Sequence, residues 1–437
     1  MKNKFLEGLL IGLFGAFVLF MLVLATTIHY SEKESDDNNK KIEASTGDTG
    51  SNNSNSTADD KSGTGTSENN EENTQSLSQT EFTKKKNYMK SLIDKYFLWE
   101  VDESAQQTAE LKALMSALDD PYSCYYTAEE YAELMESTSG IYCGIGALVS
   151  QNAQTGIITI VKPFVDGPAY NAGVLPNDII YAVNGEEVTG VDLSTVVATM
   201  KGEPDTKVEI TVYREGEYID IEIIRGTIEV PTVEYKMLDN NIGYIQVMEF
   251  DEVTAEQFIN AIADLENQGM EGLVVDLRDN PGGLLNIVCQ MLDRLLPEGR
   301  IVYTEDKYGN IDEEFSTADE EFNLPMAVLV NGNSASASEI FAGAVQDYKK
   351  ATIVGTQSFG KGIVQYVIPI YDGSAVKITI SKYYTPLGQD IHGKGITPDV
   401  VVELDEELSK LASIPMDKDN QLAAAIQVIL EQINAAK

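Results

Sequence analysis

Residues 8–28 contain no charged side chain, and this uninterrupted run limits what the N-terminus can fold into more than any other feature of the sequence. A helix of this length can cross the hydrocarbon core of a bilayer, which is about 30 Å thick. Lys2 and Lys4 precede the run and acidic residues follow it, so the positive-inside rule places the N-terminus in the cytoplasm. We therefore predict a transmembrane anchor over residues 1–30. A cleaved signal peptide is the alternative, and the lack of a clear A-x-A site after the run argues against it.

The next segment, residues 31–80, consists mainly of Ser, Asn, Thr, Gly and acidic residues, with almost no large apolar side chain that could begin a core. We predict a disordered tether with a root-mean-square reach of roughly 40 Å. Across the whole chain, 70 acidic and 31 basic side chains give a net charge of -39. This charge repels phosphate backbones and argues against nucleic acid as a partner.

The segment 81–137 has the pattern of helices, because apolar residues recur at spacings of three and four. Within it, the stretch 120–131 contains a turn followed by a new helix start, with Thr127 in the N-cap position and Glu130 three residues later. We therefore predict an N-terminal helical region.

Three further regions follow, and the predicted fold class is multidomain, α/β and β. Short apolar strands separated by Gly and Pro occupy residues 138–226, with one helix predicted over 193–200, which together predict a small β-barrel capped by helices. Strands then alternate with helices over 227–404, the layout of an α/β domain. The C-terminal region 405–437 contains an amphipathic helix that either packs on the core or joins subunits.

The first candidate for catalysis is the segment 333–339, NSASASE, which follows an apolar strand predicted over 326–330 and precedes a helix predicted over 340–348. A side-chain oxygen at such a junction lies beside the free N–H groups and the positive end of the helix dipole, which favour developing negative charge. The alternative is that these serines only cap the helix.

Lys361 is the second candidate, in the segment 356–365, TQSFGKGIVQ, between two apolar strands. The glycines on both sides let backbone pack closely around the lysine stem and exclude water from the amine. A lysine base needs this exclusion, because its pKa must fall from about 10.4 toward neutrality, a change of roughly three units. The alternative is a surface lysine in a glycine turn.

Several kinds of site are disfavoured. The chain has two histidines, and since His29 follows the predicted anchor, a Ser-His-Asp triad could use only His392, which lies in a glycine-rich, charged loop typical of a solvated turn. No HExxH motif occurs, which argues against a zinc protease. The three cysteines lack CxxC spacing, and we interpret Cys124, Cys143 and Cys289 as small buried residues. No metal or organic cofactor is expected.

A possible carboxylate-binding loop lies at residues 142–146, YCGIG. Two glycines around an apolar residue allow consecutive N–H groups to point into one concavity. Together with the stretch 163–185, which fixes the following turns, this region resembles a bacterial PDZ domain over 140–226. The resemblance implies that peptide is bound at Cys143, Gly144, Ile145 and Gly146.

Four motifs occur around and behind this region: LRDNPGG, SASASEIFAGAVQDY, GTQSFGKGIVQ and YYTPLGQDIHGKGITPD. From about residue 81 to the C-terminus, the chain resembles the carboxyl-terminal processing peptidases, the tail-specific proteases of serine peptidase family S41. This resemblance implies a serine endopeptidase with a Ser-Lys dyad that acts on proteins or peptides with a free C-terminus. Together with the predicted anchor, it implies a single-pass protein of the bacterial cell membrane with an extracytoplasmic catalytic part.

The resemblance assigns roles to five residues of this chain. Ser336 corresponds to the nucleophile and Lys361 to its general base, while Gln365 orients the lysine amine by hydrogen bonding. The N–H groups of Ala337 and Gly282 correspond to the oxyanion hole, where glycine allows main chain to approach the scissile carbonyl.

One position departs from the family pattern. Many relatives carry an arginine where this chain has Lys201, and that arginine helps couple peptide binding to activation; lysine keeps the charge but loses the bidentate fork.

Two other functions are disfavoured. A silent PDZ scaffold would not need the complete set of catalytic residues, and an acyl hydrolase or hydratase would have no use for a PDZ domain. Family members often assemble through terminal helices, which implies a homodimer.

Overall fold

The computed structural model describes residues 77–317, 321–411 and 414–436. The predicted anchor and nearly all of the predicted tether lie outside these residues. Within the described part, no helix combines the length and the apolar character needed to cross a bilayer. The chain divides into two compact units, with the boundary between Leu111 and Lys112.

The smaller unit contains α1 (Gln79–Tyr96) and the first part of α2 (Glu103–Ser116). Ser78 begins α1 in a capping box, because its hydroxyl accepts from the Glu81 N–H while the Glu81 carboxylate accepts from the Ser78 N–H. No residue of α1 is buried. Helices therefore form in this first part of the segment 81–137.

The larger unit includes β1 (Cys124–Tyr126) and α3 (Ala128–Ser139). Thr127 and Glu130 form the predicted capping box at the start of α3. The helix ends at Gly140, which adopts the left-handed conformation with φ 66°, as glycine does at many helix ends.

The PDZ-like region forms a six-stranded antiparallel sheet in the order β3-β4-β5-β7-β8, with β6 beside β5 and with a separate pair of β2 and β9. Its elements are β2 (Ile141–Gly144), β3 (Ala147–Gln151), β4 (Ile158–Pro163), α4 (Pro168–Asn171), β5 (Ile179–Val183), β6 (Glu186–Glu187), α5 (Leu193–Met200), β7 (Lys207–Arg214), β8 (Glu217–Ile224) and β9 (Gly226–Glu229). In β7, Val208, Ile210 and Val212 alternate with exposed residues and fill the core. The helix α5 has the bounds that the sequence predicts.

The α/β core follows, in which strands alternate with helices as predicted, and the strand predicted over 326–330 has those bounds. Its elements are β10 (Val233–Leu238), a 3-10 turn (Asp239–Asn241), β11 (Ile242–Val247), α6 (Thr254–Asn267), β12 (Gly272–Asp276), α7 (Leu285–Asp293), β13 (Gly299–Asp306), β14 (Ile311–Ser316), β15 (Met326–Val330), α8 (Ala337–Asp347), β16 (Thr352–Gly355), β17 (Ile363–Pro369), β18 (Ala375–Tyr384), β19 (Val400–Val401) and α9 (Asn420–Ala436).

The central sheet of the core has the strand order β10-β11-β12-β15-β16-β19, and all neighbours are parallel except β10 and β11. Helices cover both faces, as the continuous apolar runs of its strands predict. Leu273 and Val275 of β12 pack in the cluster that contains α6, α7 and α8, whereas Val274 packs in the cluster that contains α9.

A second, antiparallel sheet has the order β1-β18-β13-β14, with β17 also paired to β18. It therefore joins β1, which precedes the PDZ-like region in the sequence, to strands that follow that region. The strand β17 directly follows the glycine-flanked lysine segment.

Two local predictions are corrected. The helix α8 begins at Ala337 rather than at residue 340, because Ser336 is its N-cap and the Ser336 carbonyl accepts from the N–H groups of Glu339 and Ile340 at 2.8 Å and 3.0 Å. Among the cysteines, Cys289 is buried, whereas the strands that carry the other two, β1 and β2, leave both half-buried. The sequence pattern that predicted burial did not show how exposed those short strands are.

Candidate active site

Three loops carry the predicted catalytic motifs, and each follows a parallel strand of the central sheet. The loop 277–284 follows β12, the loop 331–336 follows β15, and the loop 356–362 follows β16. Since these strands are neighbours and run in the same direction, their carboxyl ends lie side by side. The sheet therefore brings the three motifs to one edge, the usual position of a site in an open α/β sheet.

Ser336 is the residue immediately before α8, and its backbone is strained. It has φ 54° and ψ -112°, a conformation that residues other than glycine rarely adopt. Such strain costs about 1–3 kcal/mol and persists only where the surroundings enforce it. Here the Ser336 N–H donates to the Glu339 carboxylate at 2.9 Å. The half-buried serine is thus held at the helix N-terminus in a fixed conformation.

The two neighbouring serines have structural roles. The buried hydroxyl of Ser334 donates to the Leu277 carbonyl at 2.7 Å and accepts from the Asn331 N–H at 2.9 Å. The buried hydroxyl of Ser338 donates to the Asn280 carbonyl at 3.0 Å. Both side chains are therefore held by hydrogen bonds to backbone groups.

Gly282 lies directly against the serine loop. A Cβ at this position would lie 2.8 Å from both the Ala335 carbonyl oxygen and the Ser336 Cβ, so only glycine fits here. The N–H of Gly282 donates to the Asn280 side chain at 2.8 Å. By contrast, the N–H groups of Gly283 and Ala337 have no acceptor in the described part of the chain. These two groups are the ones open to an oxyanion in this conformation.

Lys361 lies in a tightly packed loop, as the flanking glycines predict. A Cβ at Gly360 would lie 3.0 Å from the Lys394 backbone nitrogen, and one at Gly362 would lie 2.6 Å from that of His392. The side chain of His392 is exposed overall, and its backbone and Cβ contribute to this packing.

The environment of the Lys361 amine favours its neutral form. Burial lowers the pKa of Lys361 to about 8, and the nearby Lys377 acts in the same direction. The carboxylates of Asp120 and Glu339 oppose this change. A substantial fraction of the amine is therefore neutral at mildly alkaline pH, as a general base requires.

Glu339 joins the serine and lysine loops, a role that the motif comparison did not predict. Besides the Ser336 N–H, its buried carboxylate accepts from the Ser358 hydroxyl at 2.6 Å, from the Gly360 N–H at 2.6 Å and from the Lys361 N–H at 2.8 Å. Burial raises the pKa of Glu339, although these hydrogen bonds favour its carboxylate form. Its place three residues after Ser336 is the capping-box spacing, which could have indicated it.

Tyr383 of β18 makes a second connection between the same loops. Its buried hydroxyl lies within hydrogen-bonding distance of the Ser336 carbonyl oxygen, at 3.0 Å, and of the Lys361 carbonyl oxygen. Burial raises its pKa well above the ordinary value, so the group remains a neutral donor. Tyr383 is the first residue of the motif YYTPLGQDIHGKGITPD, but the sequence did not assign it a role.

Gln365 lies in β17, four residues after the lysine. Its amide nitrogen donates to the Thr379 hydroxyl at 3.2 Å and approaches the Ile363 carbonyl at 3.4 Å. Among the described residues, no hydrogen bond joins Gln365 to Lys361. The predicted orienting role of Gln365 therefore stays a prediction.

The predicted peptide-binding loop begins in β2. The N–H of Ile145 has no acceptor in the described part of the chain, whereas the N–H of Gly146 donates to the Tyr142 hydroxyl; the Ile145 side chain is buried in the PDZ-like core. Gly144 lies against the Tyr142 ring, since a Cβ there would be 3.0 Å from it. The Cys143 carbonyl accepts from the Gly202 N–H at 3.2 Å.

Lys201 lies at the end of α5, close to this loop. Its amine forms an ion pair with Glu136 of α3 and lies 5.2 Å from the centroid of the Tyr142 ring. The lysine thus contacts the helix that leads from the core into the PDZ-like region.

Comparison with known proteins decides the family. Residues 241–402 match the model of peptidase family S41, and residues 161–214 match that of the PDZ domain. A carboxy-terminal-processing protease of Bartonella bacilliformis is 41% identical over 292 residues, which cover 65% of this chain and 67% of that protein. The chain belongs to peptidase family S41.

One further relative and one solved structure are similar to this chain. The carboxy-terminal processing protease CtpA of Bacillus subtilis is 40% identical over 310 residues, which cover 70% of this chain and 66% of that protein. An S41 protease from Bacteroides fragilis has the same fold, with a TM-score of 0.50 and 17% identity over 79% of this chain and 97% of that one. This S41 chain spans about two thirds of the length of both curated relatives.

Proposed function

We propose that this S41 protein is a serine endopeptidase in which Lys361 activates Ser336. The observation that carries the proposal is the shared carboxylate of Glu339, which binds the backbone N–H of both residues and joins their loops. A buried amine with a lowered pKa and a serine at a helix N-terminus supply the two groups that acyl transfer needs.

The proposed reaction has two steps. Neutral Lys361 takes the proton from the Ser336 hydroxyl as its oxygen attacks the peptide carbonyl, and the protonated amine then gives a proton to the leaving amine. Water next hydrolyses the acyl-enzyme with Lys361 again as base. The N–H groups of Ala337 and Gly283 would stabilise the oxyanion, since that of Gly282 is bound to Asn280, and Gln365 would orient the lysine amine.

Purified full-length protein in detergent tests this proposal directly. A protein substrate with a free, apolar C-terminus should give new C-termini that mass spectrometry can read. The Ser336→Ala protein is the matched control. Equal product from both proteins would show a contaminating protease and contradict the proposed function.

We further propose that the PDZ domain holds the substrate tail at Cys143, Gly144, Ile145 and Gly146, with Lys201 nearby. A free carboxylate would accept hydrogen bonds from N–H groups of this loop, that of Ile145 among them, so amidation of the tail should lower kcat/KM. Hydrogen bonds to a charged group contribute about 1.5–3 kcal/mol, which corresponds to roughly 10- to 100-fold. Peptide cleavage followed by liquid chromatography measures this difference.

Two glycine variants control this prediction about the tail. Gly144→Val should mimic amidation, because its side chain would press on the Tyr142 ring. Gly216→Val strains the β7–β8 turn at φ 97° with open space around it, so it reports general damage to the PDZ domain. Equal cleavage of the free-acid and amidated substrates would contradict tail recognition.

We also propose a single-pass anchor over residues 1–30, a tether over 31–80 and an extracytoplasmic catalytic part in the bacterial cell membrane. Protease added to intact spheroplasts should cut the tether and release a soluble fragment, because its sequence has almost no large apolar side chain that could begin a packed core. Immunoblotting of the supernatant measures the release. Cleavage that occurs only after lysis would reverse this topology.

A further inference from the structure

The turn formed by residues 120–123, DPYS, reaches the candidate active site from a distant part of the sequence. The Lys361 Nζ atom lies 4.8 Å from the centroid of the Tyr122 ring. At this separation the ring face covers one side of the amine. Neither the proposed mechanism nor the family motifs use this tyrosine.

The position of the ring is fixed by the backbone around it. The Asp120 carboxylate accepts from the Tyr122 N–H at 3.0 Å and from the Ser123 hydroxyl at 2.5 Å. The buried oxygen of Ser123 in turn accepts from the Thr379 N–H at 3.0 Å, which fastens the turn to β18. The following strand, β1, continues this attachment by pairing with β18.

We propose that Tyr122 is a positioning residue for Lys361: its ring excludes water from the amine and holds it in place. This inference rests on the proposed role of Lys361 as the base for Ser336. It gives the DPYS turn a function in the reaction, although the turn lies outside the α/β core.

The charged and titratable groups around the amine come from three elements besides its own loop. Lys377 of β18 favours the neutral amine, whereas Asp120 of the turn and Glu339 of α8 favour the ammonium form. Burial raises the pKa of the Tyr122 phenol, so the ring carries no charge at mildly alkaline pH. The fully buried phenol of Tyr383 is likewise neutral.

The ring has two opposing effects on the amine. Its face attracts an ammonium ion, which favours protonation, while its bulk excludes water, which favours the neutral form. Burial is the largest influence on Lys361, and the pKa falls to about 8. We infer that the water excluded by the ring outweighs this attraction.

The pH dependence of kcat/KM for a peptide substrate tests this role in the full-length protein. In Tyr122→Ala the rising limb should move to higher pH by about one unit, so that activity falls about tenfold at pH 7 and recovers at alkaline pH. Tyr122→Phe keeps the ring and should leave the limb unchanged. A purely structural defect would instead lower the rate equally at every pH.

Tyr122→Leu provides a second measurement if the alanine variant folds poorly. Leucine keeps apolar bulk but lacks the ring face. The midpoint of the rising limb of kcat/KM should therefore lie at the same pH as in the unmodified protein, or at a lower pH. Each of three results would overturn the proposal. These are a rising limb at higher pH in the leucine variant, an unchanged limb in the alanine variant, and a phenylalanine variant whose limb shifts as that of the alanine variant should.

Lys361→Ala, assayed in parallel, separates this inference from the proposed function. Appreciable turnover by Lys361→Ala would refute the role of Lys361 itself, and the role of Tyr122 with it. If Lys361→Ala is inactive and the limb of Tyr122→Ala does not move, the dyad stands and only the role of Tyr122 fails.

Discussion

Replacing Ser336 with alanine is expected to lower kcat for peptide cleavage by about 10⁴-fold or more while the protein stays folded. The hydroxyl is the only atom removed, and the backbone hydrogen bond from residue 336 to Glu339 does not depend on it. Mass spectrometry of the cleavage products measures the loss of activity, and urea unfolding measures stability.

Ser334→Ala is the matched control, because it removes the same atom two residues away. This change leaves the Leu277 carbonyl without its partner hydroxyl, so the free energy of unfolding should fall by about 1–3 kcal/mol. Substantial activity should remain below the melting temperature of the variant. An active Ser336→Ala protein together with an inactive Ser334→Ala protein would move the nucleophile to Ser334.

The second large effect is the dependence of activity on the charge of Lys361. Only the neutral amine can accept a proton, so kcat/KM should rise with pH through a midpoint near the lysine pKa of about 8. Below this midpoint the rate should fall about tenfold for each pH unit, because the protonated fraction dominates. A pH–rate profile with an inert buffer series measures the midpoint.

Lys361→Arg is the sharpest control for this prediction. Arginine keeps the positive charge but does not lose its proton in proteins, so the variant should be as inactive as Lys361→Ala. Appreciable turnover by the arginine variant would exclude Lys361 as the base. Attention would then turn to His392, whose backbone packs against Gly362 in the same loop.

Local sequence patterns were sufficient to predict many elements of the fold. The capping box at Thr127 and Glu130, the helix α5 and the strand β15 all follow from residues within a few positions of one another. Hydrogen bonds at a helix start and the burial of a continuous apolar strand are local or nearly local effects. The motifs around Ser336 and Lys361 likewise identified the S41 family without a structure.

The tertiary structure decided how these motifs meet, since their contacts depend on residues far apart in the chain. Parallel pairing of β12, β15 and β16 places three separate loops at one edge of the sheet. The carboxylate of Glu339, the hydroxyl of Tyr383 and the ring of Tyr122 connect or cover those loops. Glu339 and Tyr383 lie within the quoted motifs, but only the packing of strands and helices gives the three side chains these neighbours. The sequence therefore determined which residues could react, and the fold determined what surrounds the lysine amine.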